Sequence, residues 1–159
     1  MGMLVNTTMA ELSDLTFRTA FIVYIVALIL AFIYYGRVNS VIEARREALA
    51  EQKVLVGAGG PEVVEKQKSD EDMIANARKW AGMTQALVWV GVALHLVAFV
   101  TRGLAANRFP LGNLYEYILF MTAVIMVVAA VVVQRKNWHT VWPWLLFPMV
   151  IAMFLNSTV

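Results

Sequence analysis

The sequence predicts an all-α integral membrane protein with four transmembrane helices, and three observations carry that prediction. Hydrophobic residues make up 60% of the 159 residues and charged residues only 15%, against about half and about a quarter in a soluble domain. Mean hydropathy is +0.68. The apolar residues also fall in runs: 19–36, 80–101 and 117–134 hold no Asp, Glu, Lys or Arg, and neither does the stretch after Lys136. A helix needs roughly 17–25 residues to cross the hydrocarbon. The spans therefore lie near 17–35, 82–102, 114–134 and 140–157, in a single membrane domain covering 1–159.

The first span follows Glu11, Asp14 and Arg18 and ends in "IYYGR". A secretory leader is basic and closes on a small-residue cleavage site, so this is read as a retained helix. After it, "SVIEARREALAEQKVLV" is rich in helix formers and extends the helix beyond the membrane. "GAGGP" breaks it. Ser69, with Asp72 three residues on, is expected to cap a second helix that runs unbroken from about 70 to 102. Segment 36–79 thus forms a charged helical hairpin between spans one and two. It holds Arg37, Arg45, Arg46, Lys53, Lys66, Lys68, Arg78 and Lys79, whereas the opposite side holds Arg18, Arg102 and Arg108. Lys and Arg mark the cytoplasmic side. The hairpin is accordingly placed inside and both termini outside.

His95 stands seven residues before Arg102 on the second span, on the same helical face and roughly 10 Å deeper. Ionisable groups at such depth face protein or a cavity. Two readings stay open: a ligand to metal or haem iron, or a proton relay; and an imidazole hydrogen-bonded to a neighbouring helix. The short linker from Gly103 to Asn113 forces spans two and three into an antiparallel hairpin, which brings Arg102 and Glu116 together. Neither charge is buried cheaply alone, so they are expected to pair with each other or with a ligand. "PLGN" reads as a turn followed by an Asn113 helix cap. Tyr115 and Tyr117 leave the start of span three on different sides, at least one of them in the headgroup belt.

The last span contains Pro143, which suits a first turn, and Pro148, which is expected to kink it. Trp138, Trp142 and Trp144 are assigned to the aromatic belt at the inner boundary, and His139 to a loop near the headgroups. Met121, Met126, Met149 and Met153 are read as packing residues.

No cysteine is present, which excludes disulfides and thiolate metal sites carried by this chain. No Ser/His/Asp set, phosphate loop or HExxH motif appears, and no metal site is assigned. The net charge of +2 is too small to argue for nucleic acid.

The stretch "HLVAFVTRGLAANRFPLGNLYEYILF" resembles the beginning of cytochrome c assembly proteins of the CcsA/ResC type, called CcsB in actinobacteria. His95, Arg102, Pro110, Gly112, Asn113, Tyr115 and Glu116 carry the resemblance. It implies a multi-pass protein of the bacterial cytoplasmic (inner) membrane. It further implies a part in handling haem for attachment to apocytochrome c, with a ResB-type membrane partner and His95 as a candidate haem ligand. Such proteins carry a Trp-rich, WGxxWxWD-like haem segment after the part matched here, and nothing in this sequence fits it. The resemblance is therefore to the N-terminal half alone, and catalysis by this chain on its own is not expected. The alternative is a non-catalytic accessory subunit of a respiratory membrane complex, packing on other membrane subunits through small residues and shape. A small transporter is a weaker third reading, because paired broken helices are lacking.

Overall fold

Four helices run along the chain in the computed structural model, which describes the backbone of residues 6–54 and 61–158 and the side chains of 6–50 and 71–158. They are α1 (Thr7–Val54), α2 (Pro61–Ala106), α3 (Leu114–Lys136) and α4 (Trp142–Ser157), with a 3₁₀ turn at His139–Val141 before α4. All four are long and apolar enough to cross a membrane, α4 together with its 3₁₀ turn. No strand occurs among the described residues.

The two long helices differ from expectation at their starts. α1 begins at Thr7, well before residue 17, where Asn6 Oδ1 accepts from the Met9 N–H at 3.3 Å. It then continues into the charged hairpin, as its composition predicts. α2 begins at Pro61, so Ser69 lies inside the helix and does not cap it. The reason is local: proline suits a first helical turn, and the Glu, Lys and Gln that follow favour helix. The break expected at "GAGGP", residues 57–61, lies outside the described residues apart from Pro61. With 48 and 46 residues, α1 and α2 are each about 70 Å long at 1.5 Å per residue. Both therefore project far beyond a hydrocarbon core of about 30 Å.

Each helix packs on its chain neighbours, and α4 returns to α1, closing a ring of four. The buried positions explain the order. On α1 they are Ser13, Phe17, Ala20, Tyr24, Ala27 and Ala31; on α4 they are Trp142, Leu146, Met149, Met153 and Asn156. These steps of three and four make a seam of the kind that packs left-handed bundles. Small residues bring α1 and α2 close together, as in other membrane helix pairs. At Gly91 the Tyr24 ring rests on the helix itself: a Cβ there would lie 2.6 Å from Tyr24 Cε1.

The outer faces are apolar, with Leu15, Ile22 and Ile29 on α1 and Val124, Val128 and Val131 on α3 all exposed. In water such a surface would be costly, and in lipid it is the ordinary solvent-facing side. Pro143 occupies the first turn of α4, and the helix continues through Pro148.

Both ends of α3 are closed by local chemistry. Asn113 Oδ1 accepts from the Glu116 N–H at 2.8 Å, the N-cap that the sequence predicts. At the other end Asn137 adopts a left-handed conformation with φ 54°, and the Trp138 N–H reaches the Val133 carbonyl at 3.1 Å. α2 ends in the same way. Asn107 has φ 52°, its N–H donates to Leu104 O at 3.3 Å, and the Arg108 N–H donates to Gly103 O at 3.3 Å. This is a Schellman closure with asparagine at the left-handed position. It turns the chain sharply and aims Arg108 back toward α3.

Candidate functional site

The turn between α2 and α3 builds a charged clasp around Glu116. The Glu116 side chain is 2% exposed, at the first turn of α3. Arg102 Nε lies 3.6 Å from its Oε1, and Arg108 Nη2 lies 3.2 Å from its Oε2. The Gly112 N–H donates to Oε2 at 2.8 Å. Arg102 also stacks over the Tyr115 ring, its guanidinium carbon 5.1 Å from the ring centroid. The pairing of Arg102 with Glu116 was legible from the hairpin geometry. The second arginine was not, because Arg108 follows a left-handed residue whose turn no helical spacing anticipates.

Glycine at 112 lets the Arg108 guanidinium lie close over the backbone, where an added Cβ would collide with it. Pro110 is buried, its ring folded against Gly103 on the end of α2. Tyr115 is half-buried, edge-on to Phe17 at 5.9 Å, while Tyr117 is exposed. The two tyrosines thus leave the helix on different sides, as expected. Arg102, Pro110, Gly112, Asn113, Tyr115 and Glu116 thus gather at this one turn, and His95 stands apart from it.

His95 lies deeper on α2 and is wholly buried. Its Nε2 is 3.3 Å from Thr122 Oγ1 on α3, and its ring meets Phe17 edge-on at 5.9 Å and Tyr24 at 6.1 Å. Thr122 Oγ1 also lies 2.7 Å from Ile118 O and 3.1 Å from Leu119 O, so the direction of its bond to Nε2 follows the imidazole tautomer; the ring's other nitrogen is Nδ1. That atom has no hydrogen-bond partner, and neither do Tyr24 Oη or the amide of Asn156. Buried polar atoms are nearly always satisfied, so these exceptions are unusual. Ser13, whose hydroxyl donates to Ala98 O at 2.8 Å, completes the polar lining at this level.

A haem on His95 can be judged against this packing. The donor chemistry fits, since one ring nitrogen is uncommitted. The space does not: the side chain has no exposed surface, and it lines neither the groove between α2 and α3 nor the cavity where α1, α2 and the turn before α4 meet. Phe17 and Tyr24 pack edge-on against the imidazole. No chemical step through haem is therefore assigned to this chain. No group of three or more metal-binding side chains occurs among the described residues.

The opposite end of the ring is tied by a polar network that sequence reasoning missed. The Trp142 indole N–H donates to Gln85 Oε1 at 3.1 Å, and Gln85 Nε2 donates to Ala130 O at 3.2 Å, joining α4, α2 and α3. Trp142 is wholly buried, which corrects its assignment to the aromatic belt; Trp138 and Trp144 are exposed there as expected. Its position in line with Leu146, Met149 and Met153 was the available signal. The methionines divide likewise: Met126, Met149 and Met153 pack in the core, while Met121 faces outward.

These features define a four-helix membrane bundle with a buried carboxylate clasped by two arginines above an internal histidine. No family model matches the chain, and no curated protein or solved structure matches it.

Proposed function

We propose that the chain is part of a membrane module for c-type cytochrome assembly, in which it supplies a scaffold and an internal imidazole, not the complete haem site. The observation that carries this reading is His95: fully enclosed, fixed by Thr122 through one nitrogen, and unpaired at the other. A histidine kept only for packing would be expected to satisfy both nitrogens or to leave neither so deep. The Arg102–Glu116 clasp adds support, because it shapes the turn through which the resemblance to CcsA/ResC-type proteins runs. No haem fits at His95 while Phe17 and Tyr24 pack on it, so a haem there would require a ResB-type partner to move α1, with apocytochrome c as the acceptor. The membrane is the bacterial cytoplasmic membrane. The charged arms of α1 and α2 lie inside, and the termini and the 107–113 turn outside, in keeping with the Lys and Arg distribution.

The test is spectroscopic. The full chain, co-expressed with a ResB-type subunit and purified, is expected to carry a Soret band that weakens at least severalfold in His95→Ala. An unchanged band in that variant would remove His95 from any haem site.

A second reading, an accessory subunit of a respiratory complex, is favoured by one feature. An apolar groove of about 190 Å³ runs between α2 and α3, lined by Leu96, Phe99, Phe120 and Val127 among others. Its lining is wholly apolar, which suits the side chains of a partner helix. Co-purification with an intact oxidase or bc-type complex, without haem on this chain, would decide for it.

A further inference from the structure

The larger cavity, about 680 Å³, opens where α1, α2 and the turn before α4 meet. Its floor is apolar, with Val38 and Ala81; its rim carries Arg45, Arg78, Asn137 and His139, and among the described residues no Asp or Glu lines it. Three further observations bear on what it holds. Arg78 is exposed and makes no hydrogen bond or ion pair among the described residues. His139 Nδ1 is buried in the protein without a partner. Arg37 stacks on Trp80 at 5.2 Å, and Trp138 is exposed on the same end of the bundle, which places the cavity at an aromatic and basic girdle.

A basic rim over an apolar floor at that level matches an amphiphile with a negative head. We propose that this cavity binds the phosphodiester headgroup of an anionic phospholipid. Arg78 and His139 meet the phosphate, Arg45 stands at the outer rim, and the glycerol and upper acyl carbons lie on Val38 and Ala81. Guanidinium groups suit phosphate oxygens, and basic pockets between membrane helices are apt for such headgroups. Arg135 and Lys136, exposed at the end of α3, add attraction without lining the cavity. The assignment is independent of the cytochrome reading.

Native mass spectrometry of the full chain, released from detergent with phosphatidylglycerol or phosphatidylcholine, tests it. Phosphatidylglycerol should be retained preferentially. Arg78→Gln should cut that preference about fivefold, His139→Gln should cut it less, and Arg135→Gln should leave it nearly intact. Circular dichroism checks that each variant is folded. Both Arg78 and His139 are variants of a surface rim, so one informative variant remains if the other misfolds. Equal retention of the two lipids would overturn the proposal, as would an effect of Arg135→Gln as large as that of Arg78→Gln. Displacement of the lipid by excess inorganic phosphate, dependent on Arg78, would assign the cavity to a soluble phosphate ligand and so overturn the lipid. No displacement supports it.

Discussion

Glu116 concentrates more interactions than any other side chain of the clasp. It balances Arg102 and Arg108 and anchors the turn through the Gly112 N–H. Glu116→Gln would keep the size and leave both guanidiniums without their anion. A fully buried pair costs about 3–5 kcal/mol to break from one side, but both arginines here keep some exposure. We expect a loss of roughly 1–3 kcal/mol, with Arg108→Gln costing less because Arg108 is the more exposed partner. Thermal unfolding in detergent reads both variants, and a Glu116→Gln protein as stable as the parent would contradict the role assigned to the clasp. Much of this cluster was legible beforehand. Asn113 as cap and Arg102 opposite Glu116 follow from a short linker between two spans. Arg108 was hidden because its direction is set by the left-handed Asn107, a backbone choice that composition does not reveal.

Helix boundaries and faces belong to the next level. Long apolar runs place helices reliably, but they do not mark where a helix ends in water, so Ser69 was mistaken for a start that Pro61 makes. Trp142 was misplaced for a related reason. Tryptophan near a boundary prefers the belt, yet the seam through Leu146, Met149 and Met153 turns it inward onto Gln85. The α1–α2 contact yields a sharper prediction. Gly91→Ala puts a methyl against the buried Tyr24 ring, and overpacking of this kind costs about 1–3 kcal/mol. Replacing Tyr24 with Leu in the same chain should recover part of that loss. Unfolding midpoints of the two single variants and the double variant give the coupling directly. Additive losses would mean that Tyr24 does not lean on Gly91.

For the molecule as a whole, the ring of four helices puts the 107–113 turn and the 137–141 turn at opposite ends of the bundle. The absence of cysteine makes the arrangement easy to probe. Asn107→Cys and Asn137→Cys, made singly, should react with a membrane-impermeant maleimide from opposite sides of intact cells and inverted vesicles. Asn107→Cys is expected to label from outside. Labelling of both from one side would break the four-span topology, and reversed labelling would invert the orientation drawn from Lys and Arg.

Hydropathy and charge by themselves determined that this is a helical chain with four runs long and apolar enough to cross a membrane, because the cost of placing charge and unpaired backbone in lipid acts locally and is written residue by residue. They also brought Arg102 and Glu116 to one end of the bundle, because the linker is short, with a partner for each charge expected in the other or in a ligand. Only the tertiary structure decided that Arg108 joins them, that Gln85 and Trp142 bind three helices, and that His95 sits between Phe17, Tyr24 and Thr122 with one nitrogen unpaired. Those contacts join residues far apart in the chain. They depend on the rotation of each helix about its axis, which side-chain packing sets and a linear pattern of polarity does not.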